Sequence, residues 1–269
     1  MTDAARAQRP GTRMSGEVAE QPAMLAALFS RRAELDPVAE RIRARRPRFA
    51  LLAARGSSAH AARYAKYLIE IGLALPAGLV SPSTTTLYGA RPDLSDVLLV
   101  TVSQSGGSPD LVEVTESARR GGALTVAVSN TAHSPLTTVA ELSVDIGAGA
   151  ELAVAATKTY TASLLALYLL VEKVRGGDCS AAAPIGELAE QAMLESTAGV
   201  DDAVRRCRFV ERMVTTGRGY SSATAAEAAL KLAETAYLAA RAYSGADLLH
   251  GPVAAVDAET TVVAMTSAG

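Results

Sequence analysis

The sequence predicts an α/β protein built from doubly wound parallel sheets, with helices covering both faces of each sheet. The first observation is the run at residues 97–102, which has strand length and consists of β-branched residues, leucine and threonine. Such a run is typical of a parallel strand covered on both sides. The second is that strand-length runs alternate with helical patterns along the chain, as in βαβ units. The third is that part of this pattern returns after residue 209, which indicates an internal repeat.

The composition excludes several classes of protein. The 269 residues carry 26 basic and 28 acidic side chains, and this near balance indicates neither a nucleic-acid partner nor an anionic membrane. Cys179 and Cys207 lie far apart, and no histidine stands at metal-ligand spacing. We therefore expect no disulfide framework, no metal site and no other cofactor. The N-terminus has no apolar targeting segment and no apolar run is long enough to span a bilayer, so the expected location is the cytoplasm.

The sequence predicts five consecutive segments: a leader, N-terminal helices, a first lobe, linking helices and a second lobe. Residues 1–13 are expected to form a disordered leader, and residues 14–48 form amphipathic helices with apolar side chains at helical spacing. Residues 49–176 form the first lobe, with strands at 49–53, within 77–88, and at 97–102, 124–128 and 142–146. That lobe closes with a helix that is apolar nearly all round, which predicts burial. Residues 177–208 are interpreted as linking helices, including an amphipathic pair from 184 onward, and residues 209–269 as the second lobe.

The second lobe repeats the beginning of the first. A strand at 209–215, a Gly-Arg-Gly-Tyr loop, a helix at 222–237 and a strand at 261–266 match the first lobe in order and in spacing. The sequence reaches only the counterpart of the 97–102 strand. We therefore expect an incomplete second lobe whose sheet has an uncovered apolar edge.

The loop that follows the 97–102 strand has the properties of an anion site. It contains Ser103, Gln104, Ser105 and Ser108, and a helix is predicted to begin at Pro109. Ser108 suits the N-cap and proline suits the first helical position. Free N–H groups, the helix dipole and the hydroxyl groups together favour a phosphate. The alternative is an ordinary βα turn, in which serine and glycine are common.

Further polar groups stand at a second loop and on a second-lobe helix. Gly56, Ser57 and Ser58 again place hydroxyl groups after a strand. His60 follows, and we interpret it as a surface or capping histidine because nothing near it in the sequence pairs with it. Glu227, Lys231 and Glu234 occupy one helix face at i, i+4 and i+7. As isolated surface ion pairs they would each be worth less than about 1 kcal/mol.

Taken together, the motifs resemble those of the sugar isomerase (SIS) family. They are GSS (56–58), SQSGGS (103–108), AGAELAVAATK (148–158), GRGY (217–220), EAALKLAE (227–234) and LLHGP (248–252). The set is most similar to the double-lobed branch that contains the isomerase half of glucosamine-6-phosphate synthase and the stand-alone amino-sugar-phosphate deaminases. The resemblance implies flavodoxin-like lobes of three αβα layers and covers nearly everything from residue 14 onward. In two places the chain departs from the family: Ala156 stands where serine is frequent, and the family's C-terminal tail with its functional lysine is absent from the sequence.

The resemblance also implies roles for particular residues. Ser58, Ser103, Gln104, Ser105 and Ser108 would hold the phosphate of the substrate, whereas Ser57 and Val154 would line the sugar. Glu234 would move a proton between C1 and C2 with Lys231 beside it. His250, from the neighbouring subunit of a homodimer, would open the sugar ring.

Three functions remain open at this stage. The favoured one is a deaminase and isomerase that converts glucosamine 6-phosphate to fructose 6-phosphate and ammonia, because the sequence contains no glutamine-hydrolysing domain. The second is an isomerase component related to glutamine–fructose-6-phosphate transaminase. The third is a sugar-phosphate-binding regulator without turnover. A nucleotide site at Gly217-Arg218-Gly219 is disfavoured, because the third glycine and a P-loop lysine are missing.

Overall fold

The computed structural model describes residues 11–267. Its α-helices are α1 (Thr12–Ala19), α2 (Gln21–Ser30), α3 (Asp36–Arg45), α4 (Gly56–Gly72), α5 (Ser83–Thr86), α6 (Pro109–Arg120), α7 (Pro135–Val139), α8 (Lys158–Arg175), α9 (Ile185–Cys207), α10 (Ser221–Ala236) and α11 (Gly245–Leu249). Its strands are β1 (Phe49–Ala54), β2 (Ala77–Leu79), β3 (Val97–Ser103), β4 (Leu124–Ser129), β5 (Leu142–Asp145), β6 (Arg212–Gly217), β7 (Ala239–Ser244) and β8 (Thr260–Met265). Short 3₁₀ helices occupy Arg32–Leu35, Ser180–Ala182 and Pro252–Ala255.

The first lobe is a five-stranded parallel sheet in the order β2-β1-β3-β4-β5. The central strand β3 has Leu98 opposite Ala50 on one side and Leu124 on the other. One face of the sheet packs with α2, α3, α4 and α8 in a single apolar core, whereas α6 and α7 cover the opposite face. This arrangement confirms the predicted three-layer, doubly wound fold. The predicted burial of the apolar helix is also observed, since most of α8 is buried.

The second lobe repeats the first three strands of that plan. Its parallel sheet has the order β7-β6-β8, which corresponds to β2-β1-β3. Helix α10 follows β6 as α4 follows β1, and α10 packs on both α4 and its own sheet. The two sheets are therefore joined through a pair of equivalent helices.

Local chemistry accounts for the ends of the elements that position the site. Ser108 has extended backbone angles at the N-cap of α6, and Pro109 occupies the first helical turn, as predicted. Helix α8 ends at Gly176, whose φ of 88° is the left-handed conformation that glycine adopts without a steric penalty.

The structure differs from the sequence predictions in three places. Helix α1 begins at Thr12, within the segment predicted as a disordered leader; residues 1–10 lie outside the described part of the chain. The predicted pair of linking helices is the single helix α9, which continues through Gly199. Strand β7 lies in a segment for which no strand was predicted.

Candidate active site

A cavity of about 220 Å³ opens at the carboxyl ends of β1 and β3. These two strands are neighbours at the point where the strand order reverses, which is where ligands bind in open α/β sheets. The cavity is lined by Arg55, Ser57, Ser58, Val102, Ser103, Gln104, Ser105, Ser108, Leu111, Val154, Ala156, Thr159, Tyr160, Lys231 and Glu234. All the predicted phosphate- and sugar-binding residues lie in this set, together with two of the three predicted catalytic residues.

The loop after β3 is preorganised by its own serine side chains. Ser103 Oγ accepts the N–H of Gly106 at 3.2 Å, and Ser105 Oγ accepts the N–H of Gly107 at 3.2 Å. Gly106 has a φ of 61°, and a Cβ there would lie 2.1 Å from the Oγ of Ser134. A glycine is therefore required at this position for the loop to keep its shape.

Ser108 occupies the N-cap of α6, but its side chain makes no capping hydrogen bond. The residue lines the cavity. The helix N-terminus brings partial positive charge to the same place. The loop and the helix end thus present hydrogen-bond donors to an anion.

Arg55 also lines the cavity, and sequence reasoning missed it. Its side chain donates to Asp110 Oδ2 from Nε at 2.8 Å, and the ion pair has a 2.6 Å contact from the terminal nitrogen. Asp110 is in the first turn of α6, so this ion pair connects the end of β1 to the helix that follows the serine loop of β3. Its position in the sequence, directly between strand β1 and the Gly-Ser-Ser loop, could have indicated that it lies at the site.

The opposite wall of the cavity comes from α10. Lys231 Nζ lies 2.6 Å from Glu234 Oε2 and 3.4 Å from Glu227 Oε1. The Lys231 side chain is 16% exposed and that of Glu234 35%. The predicted helix face therefore exists, and it directs an ammonium group and a carboxylate into the cavity that the serine loops line.

His60 has a buried partner, which our interpretation of it as a surface or capping histidine missed. Its Nδ1 lies 2.7 Å from Glu227 Oε2, although the two residues are 167 positions apart in the chain. The Glu227 side chain is 8% exposed. Only the packing of α4 against α10 brings these groups together, so the pair could not be predicted from the sequence.

The segment from residue 148 to 157 forms the rim on which Val154 and Ala156 lie. Glu17 of α1 accepts hydrogen bonds from the N–H groups of Leu152 and Ala153. Lys158, which is almost fully buried, pairs with Glu20. The rim is therefore held by carboxylates that precede the first lobe in sequence.

Tyr160 stands beneath the rim with a buried hydroxyl group that has no hydrogen-bond partner among the described residues. Burial raises the pKa of this phenol well above its usual range, and the nearby Glu227 carboxylate and Tyr64 raise it further. Tyr160 therefore stays protonated at neutral pH and can act as a hydrogen-bond donor. Sequence reasoning missed it as well.

His250 does not line this cavity. It is exposed and follows the last residue of α11, where its N–H donates to the carbonyl oxygen of Asp247. The prediction was that His250 serves the site of a neighbouring subunit, and that assignment stays a prediction.

Residues 11–267 contain neither a candidate metal-binding cluster nor a candidate membrane-spanning helix. Within that range no group of histidine, cysteine and acidic side chains is arranged to hold a metal ion. None of the helices described there is both long enough and apolar enough to cross a bilayer.

The fold agrees with the family comparison. The SIS domain model matches residues 45–173 and 209–269, so the chain belongs to the SIS domain family. The resemblance seen in the sequence motifs is thereby confirmed.

Three proteins are similar to the chain over most of its length. The glutamine–fructose-6-phosphate aminotransferase (isomerizing) of Methanothermobacter thermautotrophicus is 34% identical over 215 residues, which cover 80% of this chain and 36% of that protein. A crystal structure from Silicibacter pomeroyi DSS-3, assigned as a phosphosugar isomerase, is 39% identical with a TM-score of 0.90, covering 96% of this chain and 79% of that one. The C-terminal domain of the glucosamine-fructose-6-phosphate aminotransferase from Francisella tularensis is 25% identical with a TM-score of 0.83, covering 98% of this chain and 78% of that one. The chain thus spans little more than a third of the first of these proteins.

Proposed function

We propose that the cavity binds a phosphorylated amino sugar and catalyses its isomerisation with loss of ammonia, as in the conversion of glucosamine 6-phosphate to fructose 6-phosphate. The observation that carries the proposal is that two serine loops and the Lys231–Glu234 pair line one cavity. Its volume of about 220 Å³ lies below the range of pockets for drug-sized ligands, which suits a small polar substrate.

The phosphate group is assigned to the two loops of the first lobe. Ser58, Ser103, Gln104, Ser105 and Ser108 supply the donors, and the N-terminus of α6 supplies partial positive charge. Hydrogen bonds to a charged group contribute about 1.5–3 kcal/mol each. This end of the site therefore supplies affinity, and it leaves the sugar to extend past Ser57 and Val154 toward α10.

The proton transfer is assigned to Glu234. In the open-chain substrate, its carboxylate removes the C2 proton while O1 gains a proton, which gives an enolamine. The carboxylate then delivers its proton to C1 and the nitrogen loses one, so that the 2-amino aldehyde has become a 2-imino alcohol. Water then adds to the imine carbon and ammonia leaves, so that a 2-keto sugar remains. A positioned acid–base group of this kind contributes about 10²–10⁴-fold to the rate. Lys231, at 2.6 Å, holds the carboxylate in place.

Ring opening is assigned to His250 of a second subunit. Because this histidine is exposed and does not line the cavity of its own chain, the assignment requires a homodimer with shared sites. A homodimer and a cytoplasmic location are both part of the proposal, and the two free cysteines fit a reducing compartment.

We propose a substrate that carries its own nitrogen, because the described residues place no cysteine thiol at the cavity. Glutamine hydrolysis of the relevant kind needs a nucleophilic thiol. In the described residues, Cys179 is buried in the core and Cys207 ends α9, and neither lines the cavity. The second candidate, an isomerase component of an aminotransferase, is favoured by the name of the Methanothermobacter relative. Both candidates share the same C1–C2 proton transfer.

The test is incubation of the purified chain with glucosamine 6-phosphate, with ammonia and fructose 6-phosphate measured by separate coupled assays. We expect equimolar amounts of the two products. Interconversion of glucose 6-phosphate and fructose 6-phosphate without ammonia release would replace the deaminase with an isomerase. Binding of glucosamine 6-phosphate without any turnover would favour the regulatory function, and neither binding nor turnover would refute the proposal.

A further inference from the structure

We propose that His60 is a positioning residue. Its hydrogen bond to Glu227 fixes the distance between the phosphate cradle of the first lobe, formed by the serine loops at 56–58 and 103–108, and the Glu234 carboxylate of the second lobe. This inference rests on the proposed function, because it concerns how a bound sugar phosphate meets Glu234. It assigns a role to a histidine that does not line the cavity.

The position of the bond in the two helices is the first argument. His60 comes two residues after Ser58 on α4, so it is rigidly attached to one of the phosphate loops. Glu227 lies about one helical turn before Lys231 and two turns before Glu234 on α10. The 2.7 Å contact between His60 Nδ1 and Glu227 Oε2 is therefore a direct link between the cradle helix and the catalytic helix.

The electrostatics of Glu227 are the second argument. This buried carboxylate has His60 at one oxygen and the Lys231 ammonium 3.4 Å from the other. The Lys231 ammonium in turn lies 2.6 Å from Glu234. Removing one partner of a buried charge leaves that charge poorly compensated. Without His60, Glu227 would depend on Lys231 alone and would compete with Glu234 for its ammonium group.

The rest of the interface between α4 and α10 is not directional. The buried residues of α10 are mostly alanines. The ring of Tyr220 packs at a tilted angle on Tyr64 and edge-on against Tyr67, with centroids 5.4 Å and 5.9 Å apart. Apolar and aromatic contacts of this kind stabilise the interface but tolerate small sliding movements, whereas a short hydrogen bond to a charged group does not. The His60–Glu227 bond therefore sets the register of the two helices.

The proposal separates two quantities. Affinity for inorganic phosphate depends on the first lobe alone and is unaffected by the bond. Turnover of a sugar phosphate depends on both lobes, and a misplacement of about 1 Å in reacting groups costs up to about 10²-fold in rate. We expect loss of the bond to lower kcat by about 10- to 100-fold at nearly constant phosphate affinity.

The experiment compares His60→Leu, His60→Asn and Tyr220→Leu in the full chain. The side-chain amide of asparagine can place an N–H close to where histidine has Nδ1, so His60→Asn should restore most of the kcat that His60→Leu loses. Tyr220→Leu is the matched control, because it weakens the same interface without touching the bond, and it should lower the melting temperature more than kcat. The readouts are kcat and KM for glucosamine 6-phosphate, and calorimetric affinities for inorganic phosphate and for glucitol 6-phosphate, an open-chain analogue that spans both lobes.

The outcomes distinguish the two proposals. A wild-type chain that binds neither phosphate nor glucitol 6-phosphate removes the proposed function, and this inference with it. If the wild type binds both ligands without turnover, the inference is judged on affinity, and His60→Leu should weaken glucitol 6-phosphate binding alone. Equal losses for both ligands, no rescue by asparagine, or unchanged kcat and glucitol 6-phosphate affinity in His60→Leu would overturn the role of His60 while the proposed function stands.

Discussion

The two lobes share a strand order but contribute to the cavity in different ways. The first lobe supplies loops at the ends of β1 and β3, whereas the second supplies the C-terminal half of α10. Strand β3 is buried along nearly its whole length, but the equivalent strand β8 is partly exposed. The repeat thus provides one scaffold with two chemical uses: strand-end loops that offer donors to an anion, and a helix face that offers an acid–base pair.

The largest test of this division is Glu234→Gln. If the second lobe acts on the substrate and the first only binds it, the substitution should lower kcat for glucosamine 6-phosphate by about 10²–10⁴-fold. Affinity for inorganic phosphate, measured by calorimetry, should change less than about threefold, since hydrogen bonds to phosphate are assigned to the other lobe. A Glu234→Gln chain with wild-type kcat would show that the proton is carried by a different group.

A second test compares two N-cap serines, one in each lobe. Ser108 makes no capping hydrogen bond, whereas Ser244 accepts the N–H of Asp247 at 3.0 Å at the start of α11. Ser108→Ala should weaken phosphate binding by about 10- to 100-fold with little effect on stability. Ser244→Ala should lower the free energy of unfolding by about 1 kcal/mol and leave phosphate affinity unchanged.

Calorimetric titration with phosphate and urea unfolding give both quantities for each of these variants. The comparison fails if both serines behave alike. Equal losses of stability would mean that Ser108 also caps its helix in solution, and equal phosphate affinities would remove it from the cradle.

Local sequence signals were sufficient for the first lobe. The apolar run of β3 and the Ser-Pro start of α6 are determined by neighbouring residues, and both elements lie where the sequence placed them. Strand β7 was missed because its sequence, Ala-Ala-Arg-Ala-Tyr-Ser, lacks the β-branched residues that mark strands. Its pairing with β6 overrides that weak local preference. Residues from 184 onward were predicted as a helix pair but form the single helix α9, which continues through Gly199; a single glycine costs only about 1 kcal/mol in a helix.

The residues of the candidate site also fall into two groups, those predictable from local motifs and those that depend on tertiary packing. Loop residues such as Ser105 could be placed at the cavity from motifs, because motif and strand end coincide. The His60–Glu227 bond could not, since it joins residues 167 positions apart through the packing of two helices. Tyr160 was missed for the same reason. Only the tertiary structure shows that its hydroxyl group is buried without a hydrogen-bond partner among the described residues.

The smallest expected effect concerns the helix interface between the lobes. Burial, with smaller contributions from Tyr220 and Tyr168, raises the pKa of Tyr64 to about 12 from an ordinary value of 10.0. Below pH 10 the phenol is protonated in both folded and unfolded chains, so its contribution to stability is fully present. Between about pH 10 and 12 the unfolded chain loses this proton first, so the free energy of unfolding should fall as the pH rises.

Urea unfolding at pH 9 and pH 11 measures this slope, with Tyr64→Phe compared to the wild type. The variant should show a shallower loss of stability, and Tyr237→Phe, at an exposed tyrosine, should match the wild type. An unchanged slope in Tyr64→Phe would show that the interface is open enough for this phenol to ionise in the folded chain.

The carboxylates of Glu17 and Glu20 have a consequence for protein engineering. They hold the rim that carries Val154, yet they precede the first strand of the lobe by about thirty residues. A fragment cut to begin at Phe49, or a chimaera that exchanges the N-terminal helices, would retain every residue assigned to the ligand. It would nevertheless leave Lys158 buried without its counter-charge, and the rim would lose its bonds to Glu17 and keep only those to Asn130 and its own side chains. A fragment that preserves these contacts must therefore begin upstream of Glu17.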